Sequence, residues 1–245
     1  MLAGFLWPLA RILACIAIAP PLGNNSIPVP SKILLGVTLA MIVAPNIAPP
    51  NAVDMLSLPG ILVLCEQIII GLAMGFVIRL VFAGVEMAGE ISGLTMGLGF
   101  ATFFDPQTRG RSSAISQLLV ILVTLLFLAL DIHHLLFQAL VMSFQSFPLD
   151  VPIQGHFQVI KLVLWGEEVF KIGVLLSLPI VAALLIANVA LGILTRAAPQ
   201  LNLFGIGFPI TIGLGFLMLN LSLAYFVKPI EQIFQSALVF IQTLL

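Results

Sequence analysis

The stretch from Arg79 to Arg111, RLVFAGVEMAGEISGLTMGLGFATFFDPQTRGR, is apolar enough to leave water, yet it carries two acids and a run of glycines. Glu86 and Glu90 lie four residues apart, and Gly89, Gly93 and Gly97 repeat at the same spacing. On a helix this puts the acids on adjoining rows and the glycines along one stripe. Small residues let another backbone come close, and ionisable groups in an apolar helix turn towards protein or trapped water. The pattern predicts a helix whose glycine face meets a protein partner, not lipid. Phe103-Phe104-Asp105-Pro106 marks its expected end, because the residue before a proline is pushed out of the helical region. Gln107, Thr108, Arg109, Gly110 and Arg111 complete a charged loop between very apolar helices. Periodicity leaves two readings of that loop open: a solvated turn joining glycine-packed helices, or a constriction in a pathway.

Composition settles the solvent. Charged residues make up 8% and hydrophobic residues 61% of 245 positions, whereas soluble domains carry about 25% charged residues. With a mean hydropathy of +1.23, the sequence reads as an all-α membrane protein. A net charge of -1 with 9 Lys plus Arg excludes a nucleic-acid surface, which needs a basic stripe. Cys15 and Cys65 sit in apolar runs without metal or disulfide spacing and read as small buried hydrophobes. No linker, low-complexity tract or repeat appears, so residues 1–245 read as one domain. The few, balanced loop charges do not fix orientation.

Met1 to Ala19 reads as a mature first helix, because Arg11 stands inside the apolar run and no basic segment precedes it. Asn24 to Pro30 is a proline-bounded turn. Lys32 to Ala44 falls short of the about 20 residues that cross hydrocarbon and is expected to form half of a hairpin. After the polar connection Pro45 to Gly60, Ile61 to Val85 forms a long helix leading into the central stretch, with Arg79 and Glu86 on nearly one face. Ser112 or Ser113 can cap the next helix. Its apolar run is interrupted at Asp131-Ile132-His133-His134 and resumes to Phe147. A carboxylate beside two histidines invites a metal or proton relay. Adjacent histidines diverge on a helix and no third ligand has recognisable spacing, so the turn reads as a kink without metal. Gly155 to Lys171 is an amphipathic segment, and Ile172 to Leu194 is a span bent at Pro179. A turn at Ala197 to Asn202 precedes a glycine-punctuated helix to Val227. From Lys228, a separate amphipathic helix places Ile230, Ile233, Phe234, Ala237, Leu238 and Ile241 on one side.

Catalytic machinery is absent from the sequence. There is no nucleophile with a base, no phosphate-cradling lysine and no metal cluster, and Gly93 to Gly99 lacks the preceding strand of a nucleotide site. The expectation is a non-enzyme without cofactor. Glu86 and Glu90 read as partner contacts or satisfied buried acids; a stand-alone transporter using them and the histidine pair as a proton relay is the alternative.

Ala88-Gly89-Glu90-Ile91-Ser92-Gly93-Leu94-Thr95-Met96-Gly97-Leu98-Gly99-Phe100-Ala101, followed by Phe104-Asp105-Pro106, resembles the hallmark of the FliR family. Ala198-Pro199-Gln200-Leu201-Asn202 through Gly207-Phe208-Pro209 resembles its second signature, and the ordered pair covers essentially the whole sequence. Phe208-Pro209-Ile210-Thr211 is more similar to the flagellar branch than to the virulence-secretion homologues. The resemblance implies a subunit of the flagellar type III export gate in the bacterial inner membrane, a conduit for unfolded flagellar proteins. It also implies FliP, FliQ and FlhB subunits as partners, bent helical hairpins partly raised out of the bilayer, and a plug loop at Phe103 to Arg111. Glu90 matches the family pattern and Glu86 does not. Ser113 stands where other members commonly carry proline, and the Asp131 to His134 turn lacks the family's usual glycine.

Overall fold

The computed structural model describes residues 2–24, 26–47, 57–100, 113–149, 158–198 and 203–244. Among these, every regular element is helical. In hydrocarbon each backbone N–H and C=O must find a partner, and a helix satisfies them within its own segment. Helix α1 spans Leu2–Ile18 and α2 spans Val29–Val43, the latter led in by Pro30, whose missing N–H is no loss in a first turn. Both are shorter than a span. They pack together, with Gly36 admitting Leu13 and Lys32 donating to the Gly23 carbonyl at 3.0 Å. A short 3-10 turn, Ala44–Asn46, follows.

Helix α3 is one element, Leu58–Met96. It ends well before the expected stop at Asp105, because Gly97 takes a left-handed backbone (φ 91°) that only glycine adopts without strain. A 3-10 turn at Leu98–Phe100 follows. Helix α4, Ala114–Ala129, and α5, Ile132–Ser146, are bent by 67° at the break where Asp131 is left-handed (φ 55°). The short α6, Val159–Leu164, precedes α7, Glu167–Ala197, which contains Pro179. Helix α8 runs unbroken from Leu203 to Leu244 through Pro209 and Pro229, so the separate last helix expected from Lys228 is instead its continuation. Phe226 and Ile230, both buried, flank Pro229; packing on both sides holds the helix together across one lost hydrogen bond.

Among the described residues, three helical segments are long and apolar enough to cross a membrane, or four if α4 and α5 count as one broken span. The protein itself covers them unequally. In the most apolar stretch, 61% of α3 is buried against 22% for the span that includes α7. Leu178, Leu185, Ile186 and Ile193 are exposed on α7, and such a face requires lipid or other subunits around it.

The described residues form two compact units whose segments interleave in sequence, so no linker marks them. The first unit comprises Met1–Val81, Phe127–Gly166 and Phe234–Leu245. Trp7, Ile12, Ile70, Met74, Leu136 and Phe234 are buried there. Gly71 lets α3 touch the Arg11 carbonyl, and a Cβ at Gly75 would meet the Cys15 carbonyl at 2.8 Å. Arg11 itself is completely buried. Its guanidinium donates to Gln67 Oε1 (2.8 Å), to the Ser143 carbonyl (2.8 Å) and hydroxyl (3.0 Å), and to the Phe147 carbonyl (3.0 Å). Phe127 and Phe234 pack at 5.3 Å, and Trp165 stacks on Phe240 at 4.1 Å. Cys15 is buried as expected, but Cys65 is exposed, since it falls on the outward side of α3.

The second unit comprises Phe82–Leu126 and Glu167–Ile233. Gly84 receives Ile172, and Gly173 receives Met87, which seats α7 against α3. Lys171 bridges Glu167 and Glu168 at 2.7 Å each on the surface, with both acids in the first turn, where the helix dipole favours them.

Candidate functional site

The glycine stripe of α3 meets α4 of the same polypeptide. Gly89 sits against the backbone of Ser116, with no room for a Cβ. One turn on, a Cβ at Gly93 would lie 3.1 Å from the Ser113 hydroxyl. The close approach that small residues permit is used to bring in the start of a helix. That start is held by a series of hydrogen bonds. Glu90 Oε1 accepts the Ser113 backbone N–H at 2.6 Å, and Ser113 Oγ accepts the Ser116 N–H at 3.2 Å, the geometry of an N-cap. The Ser116 hydroxyl donates to the Glu86 carbonyl at 2.9 Å. Glu90 thus plays the part of a capping carboxylate supplied from a different helix. It is half-buried, while Glu86 is exposed.

The other end of the same frame is closed by α8. Gly97 is packed against the Phe208 ring, and a Cβ there would meet Phe208 Cε1 at 2.8 Å. The Thr211 hydroxyl lies 3.2 Å from the Met96 carbonyl and 3.1 Å from the Phe208 carbonyl. The Met96 carbonyl is one of the groups left without an intrahelical partner where α3 ends, so the Thr211 hydroxyl caps that terminus from another helix. Met96 is fully buried, with Gly215 making room for its thioether. The two sequence signatures, far apart in the sequence, therefore meet at Gly97 and Phe208.

Of the residues singled out from the sequence, Gly89, Glu90, Gly93, Gly97 and Phe208 belong to this frame. Gly207 is buried beside it and Pro209 is exposed. Phe103 to Arg111 lie outside the described residues, as do Pro199, Gln200, Leu201 and Asn202. Sequence reading did not single out Ser116, and it took Met96 and Thr211 only as parts of motifs. The signal for Ser116 and Thr211 was a hydroxyl at a helix start and in the third turn of a helix, where it can serve a neighbouring carbonyl.

A family model described as bacterial export proteins, family 1, matches residues 2–237. The protein is 41% identical to the flagellar biosynthetic protein FliR of Pectobacterium carotovorum subsp. carotovorum over 233 residues, 95% of its own length and 88% of that relative. It is 39% identical to the protein of that name from Escherichia coli (strain K12), over 86% of its own length and 80% of the relative. The one from Bacillus subtilis (strain 168) is 29% identical over 98% and 94% of the two lengths.

Proposed function

The chain belongs to the bacterial export proteins of family 1, and from that premise we propose that it is a structural subunit of the flagellar type III export gate in the inner membrane. In this reading it performs no catalysis. It packs with FliP, FliQ and FlhB type subunits around a passage for unfolded flagellar proteins, and residues Phe103 to Arg111 plug that passage before export begins. The names of the relatives support the flagellar assignment over a virulence-secretion one. The exposed apolar face of α7 supports burial in an assembly.

The plug reading rests on one observation above all: both ends that flank residues 101–112 are tied down. Met96 and Gly97 are held by Thr211 and Phe208, and Ser113 is held by Glu90. Fixed ends suit a segment that has to resist passage. Deleting Gln107 to Gly110 should leave assembly of the gate intact while making the resting membrane leak ions or small solutes. An intact complex with unchanged leakage would remove the plug role. Loss of the complex itself would instead count against the segment being separable from the packing frame.

A further inference from the structure

The turn between α4 and α5 gathers three metal-ligating side chains. Asp131 is left-handed (φ 55°), a conformation that aspartate tolerates because its short polar side chain bonds locally. His133 and His134 follow in the first turn of α5. Adjacent histidines diverge along a regular helix, but here the rings fold towards one another, with centroids 4.0 Å apart. One carboxylate oxygen of Asp131 and one ring nitrogen of each histidine lie within 4.8 Å of one another. His134 Nδ1 is already 3.2 Å from Asp131 Oδ1. A tetrahedral zinc ion with ligands at about 2.0–2.2 Å separates neighbouring donors by about 3.3 Å, so that edge fits. Asp131 and His134 are 73% and 69% exposed, which lets small side-chain rotations close the remaining gap. Independently, His133 Nδ1 is buried without a hydrogen-bond partner, so this imidazole has bonding capacity that the fold leaves unmet.

We propose that Asp131, His133 and His134 bind one divalent ion of the zinc class, with water in the fourth position. Two imidazole nitrogens and one carboxylate suit zinc, cobalt, nickel or copper, whereas magnesium and calcium take oxygen ligands. Bound there, the ion ties the left-handed residue in the break between the two helices to the first turn of α5. The turn at Asp131 is then held by three ligand bonds.

The test uses the full-length protein, purified in detergent without a histidine tag and titrated with Co²⁺. The expected result is a tetrahedral cobalt absorption band at one ion per protein molecule, displaced by Zn²⁺. Asp131→Asn keeps a residue that accepts the left-handed backbone, and with His134→Gln it should weaken Co²⁺ binding at least about tenfold, the scale on which even outer-shell partners of a metal act. The sequence has three histidines, so His156→Gln is the control and should bind as the parent does. Absence of a band at excess Co²⁺ in the parent protein overturns the proposal. So does binding that survives His134→Gln unchanged or vanishes with His156→Gln.

Discussion

Replacing Arg11 by methionine should destabilise the protein by about 2–5 kcal/mol, and the figure follows from what the guanidinium touches. It serves Gln67, Ser143 and Phe147 and lies 4.1 Å above the Phe144 ring. Hydrogen bonds from a charged donor contribute about 1.5–3 kcal/mol each, and a desolvated cation–π contact about 2 kcal/mol. Against this stands the cost of burying a guanidinium, several kcal/mol, so an apolar replacement recovers much of what it loses. It does not recover the orphaned acceptors. Gln67 is buried at 2% exposure, and an unsatisfied buried group costs about 1–3 kcal/mol. The Ser143 carbonyl still accepts the Phe147 N–H at 2.9 Å, so Gln67 bears most of the loss. For a protein of this size the melting temperature should fall by about 4–20 °C, read from the circular dichroism of the protein in detergent. Adding Gln67→Leu removes one orphan, and the double variant should regain about 1–3 kcal/mol. A double variant less stable than Arg11→Met alone would refute the clamp reasoning. So would a single variant that melts with the parent.

The glycine stripe makes a graded prediction: Gly89→Ala meets the Ser116 backbone, while Gly93→Ala meets a hydroxyl that can rotate. The first should destabilise by about 1–3 kcal/mol, as overpacking does, and the second by less, because alanine's helix propensity offsets about 1 kcal/mol; the reverse order of melting temperatures would contradict the packing described. Glu90→Ala releases the Ser113 N–H from its 2.6 Å bond, so trypsin should cut after Arg109 or Arg111 faster than in the parent, and an unchanged cleavage rate would show that Glu90 does not anchor this end. Ser113→Ala should cost about 1 kcal/mol as a lost N-cap, measured in the same thermal assay.

Helical class and the general location of the helices were legible because apolar runs and turn residues act locally. Of the six residues predicted as one face, Ile230, Phe234, Ala237, Leu238 and Ile241 are buried and Ile233 is half-buried. Helix ends were less legible. Pro106 is a strong stop signal, but Gly97 acted first, since a left-handed glycine lets Phe208 and Thr211 close on the helix terminus. Pro229 looked like a boundary and was not one. The divergence expected of His133 and His134 holds for the directions in which their side chains leave the helix, but in the first turn of α5 the two rings still come together at 4.0 Å between centroids.

By itself the order of residues determined that this protein lives as helices in or against a membrane, and that one helix presents small residues and acids along a shared side. Backbone geometry sets that phase at every turn, whatever lies beyond it. Which surface would fill the stripe was another matter: the tertiary structure put Ser116 against Gly89, Phe208 against Gly97, and four hydrogen bonds around Arg11. Periodicity states where a face points, whereas the identity of the neighbour depends on how distant segments close on one another, and only the folded protein decides that.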